Sequence, residues 1–298
     1  MHKLDTAIIG AGFAGLGCAL TLKKAAASYK VFEASSHPGG IAKSEYKSGF
    51  TFDMAGHWLH ARDTSFRSLL TQVLGSGLVE IQRSAWVYVY GRWVPYPFQT
   101  NLWAVPAAVR QQCLDELPTQ QSGNKRAAIE RLTSDNFHEE ITRQWGNGIA
   151  RHFMLPYNEK LWGLPLTQLQ TNCAGRFLPS ASIAQVREGA IRRQHFSSYN
   201  DRFLYPQKGG IATICEALAS GLNGHIEYDA EVVAVDLDQH QIYIADGRCF
   251  KYRQLVSTMP LPDLVGLCIE VPAQVNESVS RLRSIDLLCV NVAVRGSM

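Results

Sequence analysis

The short apolar run Thr6-Ala7-Ile8-Ile9 leads into Gly10, Gly12 and Gly15, and a second run, Lys30-Val31-Phe32, delivers Glu33. Glycines at this spacing turn the chain sharply from a strand into a helix. They also let the backbone come close to a pyrophosphate, whose charge the helix N-terminus favours. Glu33 closes the second strand, where a carboxylate can accept hydrogen bonds from both ribose hydroxyls. Strand, glycine turn, helix, strand and acidic residue in this order predict a dinucleotide site. A second pair, Gly39-Gly40, follows, and then Ser44 and the stretch Gly49 to His57. A nicotinamide-binding unit would continue here into another helix and strand. A glycine pair with a small hairpin suits a longer, extended dinucleotide. Ala34-Ser35 come after Glu33, with no arginine, which argues against a 2'-phosphate on the ribose.

The elements that must position these residues are legible in outline. Asp63 to Leu78 reads as an amphipathic helix ending at Gly75 or Gly77. Trp86 to Tyr90 and Trp93 to Pro95 read as the arms of a hairpin, with Gly91-Arg92 as its two-residue turn. Pro95 and Pro97 fix φ and remove donors, so Trp93 to Gln99 is a stiff platform for aromatic and amide side chains. From Trp103 to about Arg193 the pattern is helical, broken by a polar loop near Thr119 to Lys125. Gly209-Gly210-Ile211 opens a helix through Leu218, and Ile226 to Tyr228 is a strand. Glu231 to Leu237 pairs with Gln241 to Ala245, and Leu255 to Pro260 is another short strand.

Composition excludes several classes. Of 298 residues, 46% are apolar and 18% charged, with a net charge of +3, as in an ordinary globular protein long enough for two domains. Basic residues are dispersed, so no nucleic-acid surface is expected; Arg192-Arg193 reads as solvated surface or a contact to an anionic ligand. The most apolar window, Ile8 to Leu22, is interrupted by glycines and predicts no membrane span, and no basic segment makes it a signal peptide. Cys18, Cys113, Cys173, Cys215, Cys249, Cys268 and Cys289 are scattered and odd in number, which suits reduced thiols and a cytoplasmic location. No His/Cys/Asp spacing reads as a metal site.

The glycine turn, Glu33, Gly39-Gly40 and Gly56-His57 together resemble the FAD-binding domain shared by amine oxidases, protoporphyrinogen oxidase and UDP-galactopyranose mutase. Five segments narrow this: Gly56 to His60, Trp93 to Gln99, Pro156 to Pro165, Gly175-Arg176 and Asn200 to Pro206. In this order they look like UDP-galactopyranose mutase and its bacterial relatives, across essentially the whole chain. The resemblance implies FAD, with Gly10, Gly12, Gly15, Glu33, Gly39, Gly40, Ser44, Val233 and Thr258 along the cofactor and Gly56 and His57 at the flavin ring. It implies that Tyr96, Gln99, Asn158, Trp162 and Asn200 line a nucleotide-sugar pocket, and that Arg176 contacts the diphosphate. Arg176 and His57 would be the catalytic pair. The chemistry suits these types: arginine's planar fork fits a diphosphate, aromatics stack on a base or sugar, and amides discriminate hydroxyls. Each residue also has a plain reading. Trp162 and His57 could be core, Tyr96 and Gln99 could pin the hairpin, Arg176 could be an ion-paired surface residue, and Gly39-Gly40 could be a mere turn.

The fold class implied is α/β: a Rossmann-type FAD-binding domain in two parts, 1–78 and 204–272, with an inserted, mainly helical substrate domain, 79–203. Residues 273–298 would begin a further strand of that domain through the apolar run Leu287 to Val294. An apolar strand needs neighbours at its edges, so the expectation is a truncated chain that holds flavin weakly and is inactive alone. The activity implied is an isomerase one: ring contraction of UDP-galactopyranose to UDP-galactofuranose through N5 of reduced FAD, without net redox change. The partner is then a nucleotide sugar such as a UDP-hexose, and a homo-oligomer is compatible with the sequence. The alternatives are an oxidoreductase of the amine oxidase or protoporphyrinogen oxidase type, and a non-catalytic flavin or nucleotide-sugar binding protein.

Overall fold

The computed structural model describes residues 2–118, 136–171, 173–175, 181–193 and 201–294. The chain divides into two compact units, residues 1–81 with 203–298 and residues 82–202. Elements are numbered in chain order.

In the first unit, β1 (His2–Ile9) runs into α1 (Phe13–Lys24), then β2 (Tyr29–Phe32), and a hairpin, β3 (Ser44–Lys47) and β4 (Phe50–Asp53). α2 (Thr64–Leu74) follows, and β5 (Leu78–Gln82) pairs with β8 (Arg202–Pro206). After α7 (Ala212–Ser220) come β9 (Ile226–Glu227), β10 (Val232–Asp236), β11 (Gln241–Ile244) and β12 (Cys249–Ser257). Six strands form one sheet in the order β10-β11-β12-β1-β2-β9. β12, β1, β2 and β9 are parallel, while β10-β11-β12 is an antiparallel meander. This places β1 in the interior of the sheet, which is why its second half, Thr6 to Ile9, is buried on both faces and shows no apolar/polar alternation. Successive side chains of a strand point to opposite faces. Ile8 therefore joins Leu16 of α1, Leu70 of α2 and Leu218 of α7 in one core, while Ala7 and Ile9 join Phe32, Ile242 and Phe250 in another.

The second unit contains a hairpin, β6 (Trp86–Val89) and β7 (Arg92–Pro95), then α3 (Ala107–Asp115), α4 (Phe137–Ile149), a π-helical turn Ala150–Met154, α5 (Leu155–Trp162) and α6 (Ile183–Gly189). Val94, Phe98, Leu102, Phe137, Ile141 and Ile149 are central to its core. The loop predicted near Thr119 to Lys125 lies outside the described residues.

Four sequence expectations need correction. The hairpin turn is Tyr90-Gly91, because Val89 pairs with Arg92. Both turn residues have positive φ, 53° and 70°, as a type I′ turn demands, and Tyr90 is an unusual occupant. The strand placed at Leu255 to Pro260 is the end of a longer one, β12, which stops at Ser257. Within 273–298 the first element is a helix, α9 (Ala273–Ser280), after α8 (Leu261–Leu267). The apolar run Leu287 to Val294 forms no strand and is exposed, Leu288 at 89%. Apolar, β-branched composition marks a segment fit for a sheet, but a strand exists only where a ladder partner is present.

Candidate functional site

The glycine turn is built by close backbone approach. Gly10 has φ +96°, and its N–H donates to Phe32 O at 2.8 Å, tying the turn to the end of β2. A Cβ on Gly15 would stand 1.9 Å from Gly10 O, so no other residue fits there. Gly12 differs. Its φ is −72°, and a Cβ would meet nothing closer than 3.8 Å. Gly12 N-caps α1 without any side-chain hydrogen bond, leaving the first amides of the helix open to an anion. The second glycine pair is stitched alongside: Gly39 N–H donates to Ala11 O at 3.0 Å, and Gly12 and Gly39 form an isolated parallel bridge. The result is a strip of backbone free of side chains at Gly12, Gly39 and Gly40. Glu33, 7% exposed, accepts from Ala11 N–H at 2.7 Å and from Ser35 N–H at 2.9 Å. A carboxylate has about four acceptor positions, so it is held beside the turn with capacity left for ribose hydroxyls. Helix start, bare backbone and oriented carboxylate fit a dinucleotide.

Two further expected cofactor residues lie on β10 and just past β12. Thr258, just past β12, donates through Oγ1 to Ile9 O at 2.9 Å and sits against Gly10. Val233 falls in the register shift between the Val232–Ile244 and Ala234–Tyr243 pairs of β10 and β11. A bulged residue has no partner in the ladder, so Val233 backbone can serve a ligand.

Ser44 has a different surrounding. Its hydroxyl donates to Asp53 Oδ1 at 2.6 Å and accepts from Ala212 N–H at 3.0 Å. Asp53 Oδ1 also accepts from Ile211 N–H at 3.1 Å, and Oδ2 from the Tyr205 hydroxyl at 2.5 Å. Gly210, with φ +73°, lets the chain pass, since a Cβ would stand 2.4 Å from Ser44 Oγ. The hairpin end, β8 and the start of α7 thus meet on one carboxylate, which the sequence reading missed. Burial, and then the bond to Asp53, push the Tyr205 phenol above its ordinary range.

Gly56 and His57 line a cavity of about 210 Å³ with Asp53, Trp58, Phe203 and Tyr205. His57 Nδ1 is buried and has no hydrogen-bond partner among the described residues. An unpaired buried ring nitrogen is unfavourable, so this atom is placed to meet a ligand.

In the second unit, Phe98 stacks on Phe153 at 4.6 Å, Phe153 on Tyr157 at 4.8 Å, and Tyr96 approaches Tyr157 at 6.4 Å. Phe153 and Tyr157 are four residues apart on helical backbone, the spacing that superposes side chains. Tyr157 is 37% exposed. Tyr157 has no role in the sequence analysis; an aromatic pair at this helical spacing is the signal that points to it. Gln99 is fully buried, and Asn158 is buried with its Nδ2 donating to Met154 O at 2.7 Å. Trp162 packs on the core of this unit, its buried Nε1 without a partner among the described residues. Arg176 and Asn200 lie outside the described residues. Among the described residues there is no group of three or more His, Cys, Asp or Glu placed to hold a metal, and no helix long and apolar enough to cross a membrane.

A family model described as flavin containing amine oxidoreductase matches residues 13–297. The crystal structure of a reduced UDP-galactopyranose mutase is similar with a TM-score of 0.80 and 30% identity, covering 93% of this chain and 60% of the mutase. A putrescine oxidase double variant matches with a TM-score of 0.62 and 17% identity, over 94% of this chain and 63% of the oxidase. A fatty acid isomerase from P. acnes matches at 0.56 and 18%, over 93% and 64%. The last two share the fold. The chain spans less than two thirds of the length of each of these proteins. These matches and the geometry above agree on the cofactor, FAD. With nearly its whole length inside the family match, the chain belongs to the flavin containing amine oxidoreductases.

Proposed function

We infer that this flavoprotein is a nucleotide-sugar mutase of the UDP-galactopyranose type, the first unit holding FAD and the second serving as the inserted, mainly helical substrate domain for a UDP-hexose. The observation that carries this reading is the gap between neighbours: 30% identity and a TM-score of 0.80 to a mutase, against 17% and 0.62 to an amine oxidase. When bound, reduced FAD supplies the nucleophilic nitrogen that a redox-neutral ring contraction needs. The chain's own residues bind and orient. Glu33 would fix the adenosine ribose, and the amides opening α1 the pyrophosphate. Tyr157 would contact the base, and the Trp162 indole N–H would donate to a ligand oxygen. His57 would hold a proton beside the flavin at Nδ1. Arg176 and Asn200 are retained as contacts to the diphosphate and a sugar hydroxyl, and Tyr96, Gln99 and Asn158 as the wall around them.

The test is anaerobic incubation of the dithionite-reduced protein with UDP-galactose, with product analysis, beside oxygen uptake with amines. Any turnover should be redox-neutral exchange between pyranose and furanose, independent of oxygen. Oxygen uptake driven by an amine, with UDP-galactose neither bound nor changed, would instead assign the protein to the oxidases of its family.

A further inference from the structure

Among the described residues, six non-glycine residues have positive φ. Ala26, Ser48, Tyr90, Asp229 and His240 each sit in a short turn between consecutive elements; Ala55, at φ 64°, lies in the long connection from β4 to α2. A residue with a Cβ takes this left-handed backbone only where its surroundings impose it. Here they do. Asp53, at the end of β4, accepts from the Tyr205 hydroxyl of β8 at 2.5 Å. Trp58 packs on Phe203 of the same strand, with ring centroids 6.0 Å apart. Leu59 O accepts from Leu204 N–H at 2.9 Å. Asp53 and Leu59 are six positions apart, which an extended chain would spread over ~20 Å, yet their partners Tyr205 and Leu204 are adjacent on β8. The chain between must arch away from β8. Its foot is tied further: Met54 N–H donates to Lys43 O at 2.9 Å, and Asn291 Nδ2 to Asp53 O at 3.1 Å. Gly56 continues the arch against the Trp58 ring, where a Cβ would stand 3.2 Å from Cζ2. The arch carries His57, whose buried Nδ1 has no hydrogen-bond partner among the described residues.

We propose that Ala55 is a positioning residue for the flavin site: its left-handed backbone, imposed by the anchors on β8, presents His57 to the flavin. This rests on the placement of His57 beside the flavin and not on ring-contraction chemistry; an oxidase with the same arch would need it equally. A side chain that tolerates the left-handed region should preserve the arch, and one branched at Cβ should break it. A hydrogen-bond donor beside the flavin favours its reduced form, so displacing His57 lowers the midpoint potential.

The experiment is a reductive titration of the full flavin-loaded chain, which gives the midpoint potential, with visible circular dichroism of the bound flavin as a second readout. His57→Leu should lower the potential. Ala55→Val should lower it as well and change the flavin dichroism, although His57 is still present. Ala55→Gly and Ala55→Asn should keep the parent potential, Asn being close to Val in size but at ease in the left-handed region. If A55V does not fold or does not retain flavin, Tyr205→Phe replaces it: releasing one anchor relaxes the arch and should shift the potential the same way. A parent potential in A55V, or in Y205F where that is the variant measured, beside a lowered one in H57L overturns the proposal alone. Equal shifts from A55N and A55V trace the effect to bulk and overturn it too. A parent potential in H57L overturns the placement of His57 by the flavin, and the proposal with it.

Discussion

At the scale of single residues, glycines that look alike in sequence have separable jobs. Gly15 is required by the protein itself, since a Cβ there collides with Gly10 O at 1.9 Å, whereas Gly12 has room, with nothing within 3.8 Å. Gly15→Ala should therefore destabilise the first unit. Gly12→Val should leave the melting temperature of the flavin-free protein within about 2 °C of the parent and abolish flavin retention, read from the 450 nm absorbance of purified protein. Retained flavin in G12V would show that the pyrophosphate does not pass over this strip. His152 gives a pH signature. Its Nε2 lies 2.7 Å from Gln112 Oε1 and its Nδ1 2.7 Å from the Tyr90 hydroxyl, so in the neutral ring Nε2–H donates to Gln112 and Nδ1 accepts from Tyr90. Burial, and then the charge of neighbouring Arg151, lower its pKa, with Glu116 opposing. The unfolded chain then takes up the proton more readily. Stability is full above the unfolded imidazole value, about 6.5, and declines as pH falls below it. His152→Gln should flatten that decline, measured as melting temperature between about pH 7.5 and 5.5; an unaltered slope would place its origin elsewhere.

At the scale of elements, the Asp53 carboxylate joins β4, β8 and the start of α7. Asp53→Ala leaves a phenol and an amide without their acceptor, which costs about 2 kcal/mol, or roughly 4–8 °C of melting temperature in a domain of this size. Calorimetry on the flavin-loaded protein checks this, and a shift under 1 °C would contradict the hub. The same node shows what a sequence can and cannot disclose. The turn at Gly10 to Gly15 and the carboxylate at Glu33 were legible because local backbone geometry dictates those residue types. Ser44 was legible only as a neighbour of Gly39-Gly40, since its bonding partner Ala212 is 168 positions away and Tyr205 lies 152 from Asp53. No periodicity encodes such pairs. The hairpin was legible, but its turn was shifted by one residue because Tyr90 adopts a backbone conformation normally taken by glycine or asparagine. Leu287 to Val294 looked like a strand because composition reports fitness for a sheet and says nothing of a partner.

At the scale of the whole molecule, the first unit contains backbone and carboxylate suited to a dinucleotide; the second contains stacked rings and a buried indole N–H, which the proposed function assigns to a nucleotide sugar. The amine oxidase fold serves oxidases and isomerases alike, so fold alone does not choose a reaction. Tyr157→Ala tests the second unit directly: loss of a stacking face should weaken UDP binding roughly tenfold or more while leaving flavin content unchanged. Loss of flavin in Y157A would mean that the column supports the fold and not a ligand. The central claim, a nucleotide sugar on a flavoprotein scaffold, is tested most directly by calorimetric titration of UDP into the reduced, flavin-loaded protein. Saturable binding at one site per chain, competed by UDP-galactose and insensitive to putrescine, is the predicted result. No heat from UDP, together with reduction of the oxidised flavin by putrescine, would contradict it.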